Sequence, residues 1–394
     1  MSFEKPFRIA VPDSELELLR HKLLLTRFPD ELENVGRLHG ASLTDIKRLA
    51  QRWSSGFDWR TQEAKLNEEL PQYTRDIDVD GFGTLNIHYV HKRSTVSCAI
   101  PLLFVHGWPG SFIEVRKLLP ILVSTTSDHP SFHVVALSLP GFGFSEGFKQ
   151  QGFRFAQYAE IANKLMLSLG YDEYVIQGGD WGYFIAKKTA SMYGKTHVKA
   201  WHTNMPVSSP PGAEDVGLSE SQDIIKELGY SPHFFIQSRQ PQTIGYSLSD
   251  SPVGLLGWIY EKLQNWTDNY SWDDDEALTW ISIYWFSHAG PTASLRIYYE
   301  VAGGTSRDFV HSVDPSKRPT GVPFGASHFP HDLGSQMPQA WTSKIGSPLV
   351  FDVYHSAGGH FAAYEQPDTL AGDLRKMFGK DGGAFGVVNG RSGY

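Results

Sequence analysis

The amino-acid sequence predicts an α/β fold: a doubly wound, mostly parallel sheet that carries a helical lid and an N-terminal extension. Three observations lead to this prediction. Short apolar runs end in glycine-rich turns, at LLFVHGWPG, HVVALSLPGFG, YVIQGGDWG and LVFDVYHSAGGH. Helical stretches such as Phe155–Leu169 and Tyr183–Tyr193 lie between these runs, and strands that alternate with helices are typical of a parallel sheet buried on both faces. Between about residues 206 and 318 the chain is instead helical and rich in Trp and Tyr, which predicts a lid over a pocket at the strand ends.

Composition and charge exclude several classes of protein. The chain has 394 residues, 35 Lys+Arg against 43 Asp+Glu, and a net charge of −8; this balance argues against a nucleic-acid partner, which needs a basic surface. The single cysteine, Cys98, excludes an internal disulfide framework and a multi-cysteine metal site, and it fits a reducing compartment. No apolar run approaches the roughly 18–20 residues of a membrane helix, and the start carries Glu4, Lys5 and Asp13, unlike a secretory signal. We therefore expect a soluble, cytoplasmic protein without a membrane anchor.

Four segments follow one another along the chain: the extension over residues 1–84, the first part of the core over 85–205, the lid over 206–318 and the second part of the core over 319–394. An amphipathic helix is predicted in the extension from the leucines that follow helical spacing, Leu16, Leu19, Leu23 and Leu24. Ser42 followed by Asp45 resembles a capping box at the start of a second helix. Alternation over Leu85–His91 predicts a strand where the core begins.

The strongest chemical signal is Gly178-Gly179-Asp180-Trp181-Gly182, directly after the predicted strand Tyr174–Gln177 and before a helix. Glycine-x-nucleophile-x-glycine is the pattern of a sharp turn that exposes its central side chain, because the outer glycines let strand and helix approach closely. The central residue is Asp180. A carboxylate is ionised at pH 7, with a reference pKa of about 3.9, and can displace a leaving group at a saturated carbon to give an ester that water must cleave. The alternative is a strand-end turn that Asp180 merely caps.

Two further glycine-rich loops support the chemical interpretation. The first, His106 to Gly110, follows the predicted strand Leu102–Val105, where an oxyanion loop is expected. The backbone N–H groups of Trp108 and Trp181 are predicted to face the ester oxygen, and His106 is interpreted as a structural turn residue.

The second loop supplies the expected base. His360 stands in Gly358-Gly359-His360-Phe361 after the predicted strand Leu349–Val353, third in the order nucleophile, acid, base. Asp332 follows the GVPFGAS strand and is the predicted acid. Asp352 stands inside a strand and is interpreted as structural.

With these motifs in view, the sequence resembles the microsomal-type epoxide hydrolases of the α/β-hydrolase fold, including their soluble fungal members. The resemblance covers nearly the whole chain. It extends from PFRIAVPDSELELLRHKL, FDWRTQEAKLN and IHYVHKRS through HGWPGSF, PGFGFSE and QGGDWG to DSPVGLLGWIYEKL, SIYWF, FPHDL and GGHFAAYEQP, in the family's order. The family's N-terminal membrane anchor is not found here, in agreement with the expectation above.

The resemblance implies a mechanism. Asp180 would attack an epoxide carbon to form an alkyl-enzyme ester, and His360, oriented by Asp332, would activate the water that hydrolyses it. In the family, phenols of the lid donate a proton to the leaving alkoxide, and Tyr298 in RIYYE matches one of them. Its neighbour Tyr299 is the other candidate if the register differs by one residue. No cofactor and no metal is implied. The expected partner is a small hydrophobic epoxide, and a homodimer is the candidate assembly.

The second lid phenol departs from the family's pattern. In ELGYSPHFFIQSRQPQTIG, the position expected to be tyrosine is His233, and Tyr230 lies three residues earlier. We predict Tyr230 as the second donor, because a histidine with a reference pKa of about 6.5 can become protonated and pair with Asp180, whereas a phenol stays neutral. Tyr299, His233 and Phe361 are the candidate substrate-binding residues.

Three other functions fit parts of the pattern. A haloalkane dehalogenase would use the same triad, with the Trp181 indole holding the halide, although lid tyrosines favour an epoxide because halide needs no proton. An epoxide-opening cyclase of a biosynthetic pathway is left open by the altered lid, in which His233 stands where a tyrosine is expected. A non-catalytic binder would not need the complete set of Asp180, His360 and Asp332.

Overall fold

A computed structural model describes residues 4–208, 232–304, 306, 308–313, 317–335 and 337–394. Within these residues one mixed sheet runs in the order β1-β2-β3-β5-β4-β6-β7-β8-β9. Its strands are β1 Lys5–Phe7, β2 Gln72–Val79, β3 Gly83–Lys92, β4 Ile100–Val105, β5 Phe132–Leu137, β6 Tyr174–Gly178, β7 Val198–Thr203, β8 Thr320–His328 and β9 Ser347–Tyr354. The pairs that join β1, β2, β3 and β5 are antiparallel, and those from β5 to β9 are parallel. The predicted doubly wound, mostly parallel sheet is confirmed.

The helices fall into four groups along the chain. Those before β2 are α1 Asp13–Leu24, α2 Leu43–Ser55 and α3 Trp59–Glu69. Those between β4 and β7 are α4 Val115–Leu122, α5 Phe155–Ser168 and α6 Trp181–Tyr193. Those between β7 and β8 are α7 Pro232–Arg239, α8 Pro241–Asp250, α9 Pro252–Asn265, α10 Asp274–Trp285, α11 Arg296–Ala302 and α12 Asp308–Val313. After β8 come α13 Gln339–Thr342, α14 Ala362–Glu365 and α15 Pro367–Phe378.

Two pairs of helices cover the sheet. Helices α5 and α6 pack together over β2, β6 and β7, while α4 and α15 pack together over β5 and β8. Strands β4, β5 and β6 are buried along their whole length, which explains why their sequences read as uninterrupted apolar runs. Strand β7 was not predicted, because Lys199 and His202 interrupt its apolar pattern.

The extension behaves largely as its sequence predicts. Ser42 caps α2, and its side chain accepts a hydrogen bond from the Asp45 N–H at 3.2 Å. In α1, Leu19 and Leu23 are buried, but the inclusion of Leu24 in this face was wrong, since it is 76% exposed. Eight residues of helix turn Leu24 about 80° away from Leu16, far enough to leave the packed face.

The extension contacts both the sheet and the helices between β7 and β8. Strands β1 and β2 belong to the sheet, so residues 1–84 contribute to the core as well as to a separate helical layer. Arg52 on α2 forms a bidentate ion pair with Asp275 on α10 at 2.9 Å, and Arg48 pairs with Asp274 beside it. The division of the chain at residues 84, 205 and 318 stays a prediction. No helix among the described residues is long and apolar enough to cross a bilayer.

Candidate active site

The predicted nucleophile stands on a strained turn between β6 and α6. Asp180 has φ +53° and ψ −127°, a conformation that costs a non-glycine residue about 1–3 kcal/mol and that clusters at functional sites. Both outer glycines are needed for this turn. A Cβ on Gly178 would overlap the Gly182 carbonyl, and a Cβ on Gly182 would overlap the Val105 carbonyl.

The loop after β4 holds the Asp180 carboxylate. Asp180 Oδ1 accepts a hydrogen bond from the Trp108 N–H at 2.7 Å. Burial raises the pKa of Asp180, while His360 and the backbone N–H groups of Trp108 and Trp181 act to lower it. These two amides are the predicted oxyanion donors, and both face the carboxylate that would carry the ester.

His106 has the structural position that its sequence suggested. Its ring is buried, Nε2 accepts from the Leu139 N–H at 3.2 Å, and Nδ1 donates to the Gly107 carbonyl at 2.9 Å. Burial lowers the pKa of His106 to about 4, so the ring is neutral and holds the loop rather than moving protons.

The structure brings Asp332, and not Asp352, to His360. His360 Nδ1 lies 2.7 Å from Asp332 Oδ1, and His360 Nε2 lies 3.7 Å from Asp180 Oδ2. The acid and base loops are joined where the His331 N–H donates to the Gly358 carbonyl at 3.1 Å. Asp352 on β9 lies 2.8 Å from His328 Nε2 instead.

Three carboxylates raise the pKa of the histidine. Burial alone would lower the pKa of His360, but the charge and hydrogen bond of Asp332, with the charges of Asp180 and Glu114, raise it to about 9. These charges favour the imidazolium form of His360 between Asp332 and Asp180. If Asp180 were converted into a neutral ester, one of these charges would be lost and the pKa of His360 would fall.

Tyr298 on α11 packs against the turn that carries Asp180. Its ring is buried and meets the Trp181 ring edge-on at 4.7 Å between centroids. Burial raises the pKa of Tyr298 well above its usual value, and the charge of Asp180 adds to this, so the phenol keeps its proton. The hydroxyl of Tyr299 lies beside Gly304, two residues after the end of α11. Phe361 is buried with its ring edge-on to His360 at 5.1 Å. The substrate-binding roles of Tyr299 and Phe361 stay predictions.

His233 on α7 lies within this group of aromatic rings. Its ring stacks on Trp108 at 5.1 Å, and Nε2 lies 3.5 Å from the Tyr298 hydroxyl. Burial lowers the pKa of His233 to about 2, with the charges of Lys262 and His360 adding to the effect. The ring is therefore neutral at pH 7, as a reference pKa of about 6.5 already suggested, and burial also keeps it neutral at the lower pH where protonation was expected. Tyr230 lies outside the described residues, and its role stays a prediction.

One acidic residue at the site was missed in the sequence. A Cβ on Gly110 would overlap the carboxylate of Glu114, which therefore lies over the oxyanion loop. Burial raises the pKa of Glu114 to about 8, while His360 and the backbone amides of Gly107 and Ser111 oppose this and Asp180 adds to it. The available signal was a carboxylate within the otherwise apolar FIEV, just after the HGWPGS loop.

Lid side chains hold the other side of the same loop. The Trp280 indole N–H donates to the Pro109 carbonyl at 2.5 Å, and the Tyr284 hydroxyl donates to the Gly110 carbonyl at 2.6 Å. Because both donors lie on α10, this helix fixes the direction in which the loop presents its N–H groups.

Fold and site together define the class: an enzyme of the α/β-hydrolase fold with a carboxylate at the nucleophile turn. Comparisons with known proteins agree. The family described as "Epoxide hydrolase N terminus" matches residues 4–115, and "alpha/beta hydrolase fold" matches residues 100–222. A putative epoxide hydrolase of Stigmatella aurantiaca is 37% identical, over 95% of this chain and 84% of its own. Epoxide hydrolase 1 of Sus scrofa is 33% identical, over 95% and 88%. The solved Aspergillus niger epoxide hydrolase is similar with a TM-score of 0.79, at 32% identity over 95% of both chains.

The chain belongs to the epoxide hydrolase family and is an epoxide-hydrolysing enzyme. The resemblance drawn from its motifs is thereby confirmed, together with the fold class and the hydrolytic activity.

Proposed function

We propose that this enzyme opens an epoxide to a vicinal diol in two steps, with Asp180 as nucleophile, His360 as base, Asp332 as the acid that orients His360, and Tyr298 as a proton donor. The observation that carries the proposal is the position of one imidazole between two carboxylates, 2.7 Å from Asp332 and 3.7 Å from Asp180. Such a ring can be oriented by Asp332 while it activates water for attack on an ester of Asp180.

In the first step, Asp180 attacks a ring carbon while the carbon–oxygen bond of the epoxide breaks. The strained turn and the Trp108 N–H hold the carboxylate in place, which supplies part of the rate enhancement as fixed orientation. Tyr298 gives its proton to the developing alkoxide. A donor of this kind contributes roughly 1.5–3 kcal/mol, or about ten- to a hundred-fold in rate.

In the second step, water attacks the carbonyl carbon of the ester. His360, whose lowered pKa in the neutral ester lets it first release its own proton to solvent, takes the water proton. The N–H groups of Trp108 and Trp181 stabilise the oxyanion of the tetrahedral intermediate. Collapse of this intermediate expels the diol, whose oxygen takes the proton back from His360.

A second donor for the epoxide oxygen is proposed among two residues. Tyr230 is supported by the chemistry of a phenol, which donates a proton while it stays neutral. His233 is supported by its contacts: the ring is neutral, its Nε2 lies 3.5 Å from the Tyr298 hydroxyl, and its Nδ1 is buried without a partner. The described contacts favour His233. If this is right, His233→Phe slows epoxide opening about ten-fold or more and Tyr230→Phe does not; the reverse result returns the role to Tyr230.

The proposed substrate is a small hydrophobic epoxide, because the rings of Trp258 and Trp266 both pack against Trp108 at the site. No cofactor takes part in the proposed steps. We also propose a cytoplasmic location, supported by the single cysteine Cys98, and a homodimer, which light scattering on the purified protein would test.

Two substitutions test the mechanism. Asp180→Asn should block ester formation, because a neutral amide is a poor nucleophile. His360→Gln should let the ester form and accumulate, since attack at carbon needs no base. Intact-protein mass spectrometry with an excess of styrene oxide would show an added substrate mass in the His360 variant only. If the His360 variant gains no mass with an epoxide that the wild type consumes, the covalent route is wrong.

A further inference from the structure

Two polar side chains beside Tyr298 are buried without a hydrogen-bond partner. Gln237 on α7 is 0% exposed, and neither its amide nitrogen nor its amide oxygen makes a hydrogen bond. Trp181 is 2% exposed, and its indole N–H has no partner either. Unbonded polar groups in a protein interior cost free energy and are uncommon, so each requires an explanation.

Both groups face the Tyr298 hydroxyl. The ring of Trp181 lies 4.7 Å from that of Tyr298, at an interplanar angle of 86°. Gln237 lies one helical turn after His233, whose Nε2 is 3.5 Å from the Tyr298 hydroxyl, so the two side chains share one face of α7. Trp181 and Gln237 both lie near enough to the Tyr298 hydroxyl to lower its pKa as donors, against the burial that raises it, although neither has the geometry of a hydrogen bond in the resting state.

We propose that Gln237 and the Trp181 indole are positioning residues that stabilise the phenolate which Tyr298 becomes when it protonates the opening epoxide. The inference rests on the proposed function, in which Tyr298 is a donor. As the bond from Asp180 to carbon forms and the epoxide bond breaks, the phenol proton moves to the alkoxide oxygen. Negative charge is left on the phenol oxygen, and the two N–H groups then donate to it. Hydrolysis of the ester leaves a protonated Asp180, whose proton returns to Tyr298.

The unmet hydrogen bonds of the resting state explain why this arrangement favours the reaction. A neutral phenol oxygen is a weak acceptor, so the two N–H groups gain little from it before reaction. A phenolate is a strong acceptor, so the same groups bind it more tightly as charge develops. Interactions that strengthen only along the reaction path lower its barrier, and donors already in place need no reorganisation.

The test separates the two half-reactions of the full-length enzyme. Gln237→Met keeps the length of the side chain and removes the donor; single-turnover quenched flow with styrene oxide would measure ester formation and ester hydrolysis separately. We expect ester formation to slow about ten-fold, as for one lost donor to a charged oxygen, with hydrolysis unchanged. Trp181→Phe, which keeps the backbone N–H and a ring, should act in the same direction. Gln240→Met, at an exposed position just after α7, is the matched control and should react as the wild type does.

Coupling to Tyr298 decides between positioning and simple packing. In a Tyr298→Phe background no phenolate forms, so adding Gln237→Met should cause no further loss in ester formation. An equal loss in both half-reactions, or a loss that persists without the phenol, would overturn the inference. If Tyr298→Phe itself has no effect on ester formation, the proposed donor is wrong. If it slows that step while Gln237→Met and Trp181→Phe do not, only the present inference fails.

Discussion

Gly107 offers the sharpest test of how the carboxylate of Asp180, the proposed nucleophile, is held. This residue lies directly beneath the Asp180 side chain, and a Cβ built on it would stand 2.6 Å from Asp180 Cγ. Its φ is outside the left-handed region, so alanine fits the backbone. Gly107→Ala therefore perturbs the position of the carboxylate without straining the loop itself.

The size of the effect follows from the displacement. Ordinary contact between carbon atoms needs about 3.5 Å, so the Asp180 carboxylate must move by roughly 1 Å. A misplacement of that size can cost about 100-fold in rate. The shift also lengthens the 2.7 Å bond from the Trp108 N–H to Asp180 Oδ1, and loss of an oxyanion donor costs about 10²–10³-fold. We expect ester formation to fall by a factor between roughly 10² and 10³.

The assay is single-turnover ester formation with excess enzyme, alongside a thermal melt to verify folding. Gly372→Ala on α15 is the matched control, because a Cβ there meets nothing within 4 Å. It should keep full activity and gain roughly 0.5–1 kcal/mol of stability from the better helix former. Unchanged ester formation in a well-folded Gly107 variant would refute the claim that this loop positions the carboxylate.

The remaining predictions concern the charges around the base. Asp332→Asn removes the charge that raises the pKa of His360, so the rising limb of the hydrolysis pH profile should move to lower pH and turnover should fall about 10⁴-fold. Asp352→Asn, whose partner is His328, should lower the melting temperature with near-normal rates; the opposite pair of results would reverse the assignment of the acid. Glu114 carries a negative charge above its pKa of about 8 and raises that of His360, so Glu114→Gln should also move the rising limb to lower pH. A remote carboxylate variant, Glu63→Gln, should leave the profile unchanged, and an unmoved profile in the Glu114 variant would contradict the coupling.

The parts of the site that sequence could predict are those fixed by close backbone approach. Gly178 and Gly182 are required because a Cβ on either would overlap a carbonyl, and such a requirement leaves a readable pattern. The order of the nucleophile, acid and base loops follows from the parallel sheet, since the carboxyl ends of neighbouring strands meet at one edge. Asp332 could be preferred over Asp352 because Asp332 follows the carboxyl end of a strand at this edge, whereas Asp352 stands inside a strand.

The parts that sequence could not predict depend on burial and on contacts distant along the chain. The neutral state of His233 follows from its position among Trp108, Trp266 and Tyr298, which local spacing does not reveal. The carboxylate of Glu114 becomes part of the site only because the loop after β4 folds back beneath it.

The most direct test of the central claim is a single turnover in ¹⁸O-labelled water with enzyme in excess. If Asp180 forms an ester that water cleaves at its carbonyl carbon, the first diol released carries an unlabelled oxygen from Asp180, and the label appears in the Asp180 peptide. A first-turnover diol that already contains the label, with Asp180 unlabelled, would contradict the account, because water would then have attacked the epoxide directly.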